Sequence, residues 1–215
     1  MEIARAAAGL FVSRGLKATR AEDIAQAAGI APRTFYRYFA TKEEAVAPLY
    51  AAGAQRWAEA VREAPAELTV PEALEHAVRH TLVPGRGVSA ASWEWVRTLI
   101  RMAGTSPALG KVWAEVCHTS EATLTEVLAE RTAASRTPAS DAASDVTSNA
   151  APDNVASPYQ RFTAAVAGAA VRVAVESWAA TDSPPTGRQG PAELALRNLR
   201  ALHGFAWEES PAEEA

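Results

Sequence analysis

Apolar positions recur with a helical period almost from the first residue of this chain. Ile3, Ala7, Leu10 and Phe11 stand at i, i+4, i+7 and i+8, one face of an amphipathic helix over residues 2–14. Gly15 supplies its stop. A second helix is expected from Arg20 or Ala21, with Ile24, Ala27 and Ala28 as its apolar side. Thr19 is its N-cap, Glu22 three residues on completes a capping box, and Gly29 ends the helix. A short third helix follows, with Pro32 in its first turn, where a missing N–H costs nothing, and it runs to about Phe39. Thr41-Lys42-Glu43-Glu44 reads as a cap and acidic first turn of a long helix from about Lys42 to Arg62, with Pro48 bending its second turn.

The remainder carries the same period. Helices are expected over Pro71 to about Leu82, Ser89 to Ala103, Ala108 to about Thr132, 159–181 and 191–207. No segment sustains the two-residue alternation of a half-buried strand, so the fold class is all-α. Residues 132–157 break the pattern: 15 of these 26 are Ser, Thr, Asp, Asn or Pro, and Val146 and Val155 are the only larger apolar ones. Such a stretch buries too little to offset its ordering entropy and reads as a flexible linker between two helices. The expected organisation is a three-helix domain over 1–45, a helical domain over 46–209 interrupted by that linker, and an acidic tail at 210–215.

Composition narrows the function classes. The hydrophobic fraction of 48% suffices for a core, and its heavy share of alanine favours helix over sheet. With Cys117 as the one cysteine, no intramolecular disulfide and no cysteine cluster for zinc can form. His76 and His80 are four apart on one expected helix, but no carboxylate or thiol set accompanies them, so no metal is expected. The most apolar run, Ala164 to Val171, is stopped by Arg172 and Glu176, well short of the ~20 residues a membrane helix needs. Without a signal-peptide pattern at the N-terminus, the expected location is the cytoplasm.

A formal charge of −4 argues at first against a nucleic-acid partner. Its distribution reverses that. Residues 1–42 hold seven basic residues (Arg5, Arg14, Lys17, Arg20, Arg33, Arg37, Lys42) against three acidic ones, a charge of +4, and the rest of the chain is −8. The second and third expected helices, joined by Gly29-Ile30-Ala31, have the spacing of a helix-turn-helix, whose second helix enters the major groove. With Phe35 and Phe39 facing inward, Arg33 and Arg37 fall on the opposite face at about 100° per residue, flanked by Thr34, Tyr36 and Tyr38. Guanidinium groups take guanine O6 and N7 or phosphates, and hydroxyls suit phosphates. Thr19, Arg20 and Lys42 complete the candidate contacts. The competing reading is an ordinary solvated face.

The run from Ala18 to Ile30 (ATRAEDIAQAAGI), then Arg33-Thr34-Phe35-Tyr36-Arg37-Tyr38-Phe39, then Thr41-Lys42-Glu43, resembles the tetracycline-repressor (TetR) family of bacterial regulators over about residues 3–50. The resemblance implies an all-α homodimer with an N-terminal helix-turn-helix domain on a palindromic operator in double-stranded DNA. It also implies a helical ligand-binding and dimerisation domain whose small-molecule effector, of unknown identity, releases the operator. Ala31 departs from the Ser or Thr usual there, which removes one capping hydroxyl.

In the second domain, Trp57, Trp93, Trp95, Leu99, Ile100, Met102, Trp113 and Val116 form an aromatic set that reads either as the lining of a ligand pocket or as plain core. Arg97 and Arg101, one turn apart, can meet an anionic ligand group or pair with Glu94. The stretches Trp95 to Pro107 and Arg172 to Trp178 are similar to a subgroup with an acyl-thioester type of ligand domain. The last two helices have a small-residue surface, and Val166, Gly168, Ala169, Val173, Leu194, Leu199 and Leu202 are candidate seam residues of a dimer, or pack within one subunit. The resemblance implies a ligand-responsive repressor, expected to need no cofactor, and the lack of a nucleophile motif, Gly-rich phosphate loop or metal set speaks against an enzyme. The alternatives are an all-α enzyme with Glu94 or His80 as base, and a dimeric ligand-binding module without DNA affinity.

Overall fold

A computed structural model describes residues 1–85, 90–136 and 156–207, with the side chains of 90–92 and 135–136 excepted. Among the described residues the regular structure is entirely helical: α1 Glu2–Arg14, α2 Ala21–Ala27, α3 Pro32–Tyr38, a 3₁₀ turn Glu44–Val46, then α4 Ala47–Arg62, α5 Val70–Thr81, α6 Ala90–Thr105, α7 Pro107–Arg136, α8 Pro158–Ala179 and α9 Pro191–Ala201. The expected linker's first residues, 132–136, continue α7. Its polar stretch 137–155 and the acidic tail lie outside the described residues.

The head is α1 to α3. Ala4, Ala7, Ala8 and Phe11 bury one face of α1 against α2, whose Ile24 and Ala25 are likewise buried, and Phe35 of α3 closes the third side. Gly29, at φ +68° between α2 and α3, adopts a left-handed conformation that a side chain would strain. Gly29 N–H bonds back to Gln26 O and Ile30 N–H to Ala25 O, so the turn is tight.

Two expected start signals move. Thr19 is not the N-cap of α2; Arg20 is, in extended backbone, with Asp23 Oδ2 accepting its N–H at 2.9 Å. Thr19 instead points inward, fully buried, and its hydroxyl donates to Gly15 O at 2.9 Å and Leu10 O at 3.3 Å. A hydroxyl can cap either neighbouring turn, and the buried carbonyls at the end of α1 claim this one. The long helix does not begin at Lys42 either. Pro48 has no N–H and its ring crowds the carbonyl four residues back, so it sits in the first turn of α4, behind the 3₁₀ turn, rather than in a bent second turn.

The body is layered around α7, which packs on α4, α6 and α8, while α5 and α9 close the far side. Trp178 is its anchor. Fully buried, it meets Trp93 edge-on at 5.3 Å between ring centroids and donates from Nε1 toward Ser183 O at 3.1 Å and Pro184 O at 3.2 Å. Arg131 of α7 caps the end of α4 with bonds to Ala64 O at 2.7 Å, Pro65 O at 2.9 Å and Leu68 O at 3.1 Å. Helix α9 ends at Ala201, short of the expected 207, because Gly204 at φ +90° turns the chain back. The turn lays Phe205 against Phe162 at 5.6 Å and Trp207 against Phe205 at 4.8 Å.

Candidate functional site

The first candidate is the outward face of α3. Phe35, fully buried, and Phe39, 5.4 Å away between centroids, hold the helix to the head. That anchoring leaves Arg33, Tyr36, Arg37 and Tyr38 exposed and Thr34 half-buried. Arg37 stacks on the Tyr38 ring at 5.0 Å and its Nη2 donates to the Tyr38 hydroxyl at 3.3 Å, so this pair is pre-oriented. Tyr36 donates to Glu22 at 3.2 Å, tying α3 to the first turn of α2. Arg20 is exposed at the start of α2, on the same head.

Two expected contacts are engaged elsewhere. Thr19, buried as described, has no surface to offer a phosphate. Lys42 donates from Nζ to Leu16 O at 2.7 Å and Thr19 O at 2.8 Å, closing the α1–α2 turn, with its third hydrogen left over. The lysine is therefore first a clasp of the head.

The second candidate is a cavity of ≈ 180 Å³ enclosed by α4, α6, α7 and α8. Of the aromatic and aliphatic residues expected there, Trp57, Trp93, Leu99, Ile100, Trp113 and Val116 line it. Trp95 does not: two residues along α6 from Trp93, it is exposed and lies against α1, within 3.5 Å of where a side chain on Gly9 would begin. Met102 is half-buried in packing away from the cavity. Arg97 and Arg101 are also outside it. Arg97 is 8% exposed, with its guanidinium 4.4 Å over the Trp178 ring and donating to Ser183 O. Arg101 donates to Ala179 O at 2.9 Å, Thr181 O at 2.8 Å and Asp182 at 3.0 Å. Both arginines staple α6 to the chain leaving α8, where carbonyls at a helix end are short of donors.

The polar side of the cavity comes from residues the aromatic pattern did not point to. Arg172 of α8 lines it, 3.3 Å from Glu176 Oε2, while the other Glu176 oxygen accepts Trp113 Nε1 at 2.6 Å. Tyr50 lines it too, donating to Leu99 O at 3.0 Å, and burial holds its phenol well above the usual range. Burial pushes the Cys117 thiol up to about 11, with the nearby Arg172 charge pulling the other way and Glu176 and Glu121 adding to the rise. The thiol is thus inert at neutral pH. A charged pair, Arg172 with Glu176, directly after the run 162–171 in which only Thr163 is polar, was the available signal for this side.

A third surface is the outer face of α8 and α9. Phe162 is 54% and Val173 45% exposed, and with half-buried Val166 and Ala169 they form one stripe at i, i+4, i+7 and i+11. Leu194 and Leu202 of α9 are half-buried beside it. Two expected seam residues turn inward: Leu199 is in the subunit's own core, and a side chain on Gly168 would stand 3.4 Å from Glu121 Cγ of α7. His76 and His80 are both exposed on α5, and no group of metal-ligating side chains occurs among the described residues. No described helix is long and apolar enough to cross a membrane.

Residues 3–47 match the family described as bacterial regulatory proteins, tetR family. Among curated relatives, the chain is 49% identical over 45 residues to the transcriptional repressor KstR2 of Mycobacterium tuberculosis, covering 21% of this chain and 22% of that protein. It is 45% identical over 51 residues to the transcriptional regulator TcmR of Streptomyces glaucescens, covering 23% of each. These matches span about a fifth of the curated relatives' length. The whole fold is similar to that of Thermus thermophilus FadR, a TetR-family transcriptional repressor solved with lauroyl-CoA (TM-score 0.59, 22% identity, covering 100% of this chain and 98% of that one). It is also similar to the TetR-family repressor AlkX of Dietzia (TM-score 0.56, 18% identity, covering 95% and 96%).

Proposed function

We propose that this chain, whose residues 3–47 match the tetR family of bacterial regulatory proteins, is a dimeric transcriptional repressor that binds an operator and is released by a small apolar or amphiphilic molecule. The observation that carries the reading is the outward face of α3. Phe35 anchors the helix from behind while Arg33 and the stacked Arg37–Tyr38 pair stand clear in front. A seven-residue helix so held fits the major groove by its convex side. Arg33 and Arg37 are the base-edge or phosphate contacts, and Arg20, Thr34, Tyr36 and Tyr38 position the head on the backbone. Lys42 reaches a phosphate only with the hydrogen its two carbonyl bonds leave free.

The charge division supports the same orientation, with a +4 head toward phosphate and a −8 body away from it. Reading a palindrome needs two heads about one helical turn of DNA apart, and the stripe Phe162, Val166, Ala169 and Val173, continued by Leu194 and Leu202, is the surface that brings two copies together. The body over 46–209 then holds the effector in the cavity between α4, α6, α7 and α8. The protein acts in the cytoplasm by binding, without catalysis.

Selection of bound duplexes from random DNA tests the reading. Recovery of one palindrome with two half-sites about a helical turn apart is expected. Enrichment of no sequence, or of an unpaired half-site alone, would overturn the repressor reading or its dimeric form respectively.

A further inference from the structure

Half-buried Arg172, on the cavity wall, is a cation whose hydrogen-bonding capacity is mostly unspent. A guanidinium carries five N–H donors. Among the described residues, those of Arg172 meet only Glu176, from Nη1, at 3.4 Å to Oε1 and 3.3 Å to Oε2, longer than the 2.7–2.9 Å of a good charge-assisted bond. Glu176 cannot close the gap, because Trp113 Nε1 holds its Oε1 at 2.6 Å across on α7. The other charged groups lining the cavity are Arg56, exposed on α4, and Glu121 on α7. A second observation is independent of Arg172. The indole N–H groups of Trp57 and Trp93, residues that line the same cavity, are buried without an acceptor among the described residues. A buried donor left unmatched is costly, so the protein alone leaves this wall incomplete.

We propose that the effector is a small organic monoanion, a carboxylic acid on an aromatic or aliphatic body, whose carboxylate docks on Arg172 and whose body lies among Trp57, Trp93 and Trp113. This rests on the reading of the cavity as the effector site. A carboxylate matches the planar fork of a guanidinium bidentately. It brings acceptor oxygens into a lining whose two indole N–H groups have none among the described residues. At ≈ 180 Å³ the cavity suits a compact body. Arrival of the carboxylate draws Arg172 off Glu176, and Glu176 stays with Trp113. The exchange stays within α8, beside the dimer stripe at the adjacent Val173, and leaves the Glu176 contact to α7 in place.

Binding of benzoate, 2-naphthoate and decanoate, each beside its primary amide, and of lauroyl-CoA, tests this on the full chain without DNA, by tryptophan fluorescence and calorimetry. At least one acid is expected to bind about ten- to a hundredfold tighter than its amide. R172Q should bring that ratio to about one, R172K should keep part of it, and E176Q should tighten the acid. Equal affinity of acid and amide for every pair, a preference that survives R172Q, or lauroyl-CoA binding more tightly than all three acids would overturn the proposal. Circular dichroism melts report whether R172Q folds, and if it does not, the wild-type ratios and R172K still decide. Because no DNA is present, an acid preference alongside a failed duplex selection would leave this inference standing and sink the repressor reading alone.

Discussion

Two pairs of arginines stand one helical turn apart in this chain, Arg33 with Arg37 in the head and Arg97 with Arg101 in the body, and the fold uses them oppositely. The head pair lies on a helix of seven residues with nothing of the protein in front of it. The body pair lies on α6, with the chain leaving α8 packed across it. There, three backbone carbonyls and one carboxylate take up the guanidinium donors: Ser183 O on Arg97, and Ala179 O, Thr181 O and Asp182 on Arg101. Spacing fixes which side chains share a face. What stands opposite that face decides whether the charge meets solvent, a ligand or its own backbone.

The comparison breaks most visibly at Arg97. Its guanidinium is buried over Trp178 and bonds a carbonyl that has no other charged donor. Arg97→Met keeps the aliphatic stem but loses both, with a stability loss of about 2–4 kcal/mol in urea titrations. The Glu94 partner adds little, since its carboxylate is 62% exposed at 3.6 Å. A loss under about 0.5 kcal/mol would mean that Arg97 is not a staple, and the sequence reading of it as a ligand contact would return.

The converse holds in the head. Arg33→Ala should leave the melting temperature unchanged and weaken operator binding by about 1–3 kcal/mol, with base preference relaxed at one position of each half-site. Equal binding of every single-base operator variant by wild type and mutant would remove Arg33 from the readers.

Lys42 falls between the two classes, as both a surface cation of the head and a donor to two carbonyls. Lys42→Met should cost about 1–2 kcal/mol of stability, because Leu16 O and Thr19 O lose a charged donor. It should also flatten the salt dependence of operator binding by about one unit of slope if the third hydrogen reaches a phosphate. A variant that melts as wild type and still flattens the slope would make Lys42 a phosphate contact only, as its place in the sequence implies.

Helical period carried most of the architecture, because burying one face of each helix is what its apolar spacing records. All nine expected helices have counterparts, from Ile3 and Phe11 of α1 to Leu196 and Leu199 of α9. Boundaries slipped where a single backbone group chose between partners: Thr19 served the end of α1 instead of the start of α2, and Gly204 ended α9 early. Half of the cavity was legible as well, since a large ring at helical spacing has to be buried somewhere. Its polar half was not. Arg172 and Glu176 look like an ordinary i, i+4 pair, and only the packing of α8 against Trp113 on α7 turns them toward the cavity.

The smallest expected effect separates the two members of the body pair. Arg101 makes the more numerous bonds, yet its side chain is 46% exposed and its ionic partner Asp182 is 93% exposed. Water can replace each donor it loses, so Arg101→Gln should cost only about 0.5–1 kcal/mol, several-fold less than Arg97→Met. Operator affinity and the affinity for organic acids should not change, because neither α3 nor the cavity touches this side chain. Loss of acid binding in Arg101→Gln with stability intact would return the anion site from Arg172 to the arginine pair of α6. If instead both variants lost stability equally, the number of hydrogen bonds, and not their burial, would set what each staple contributes.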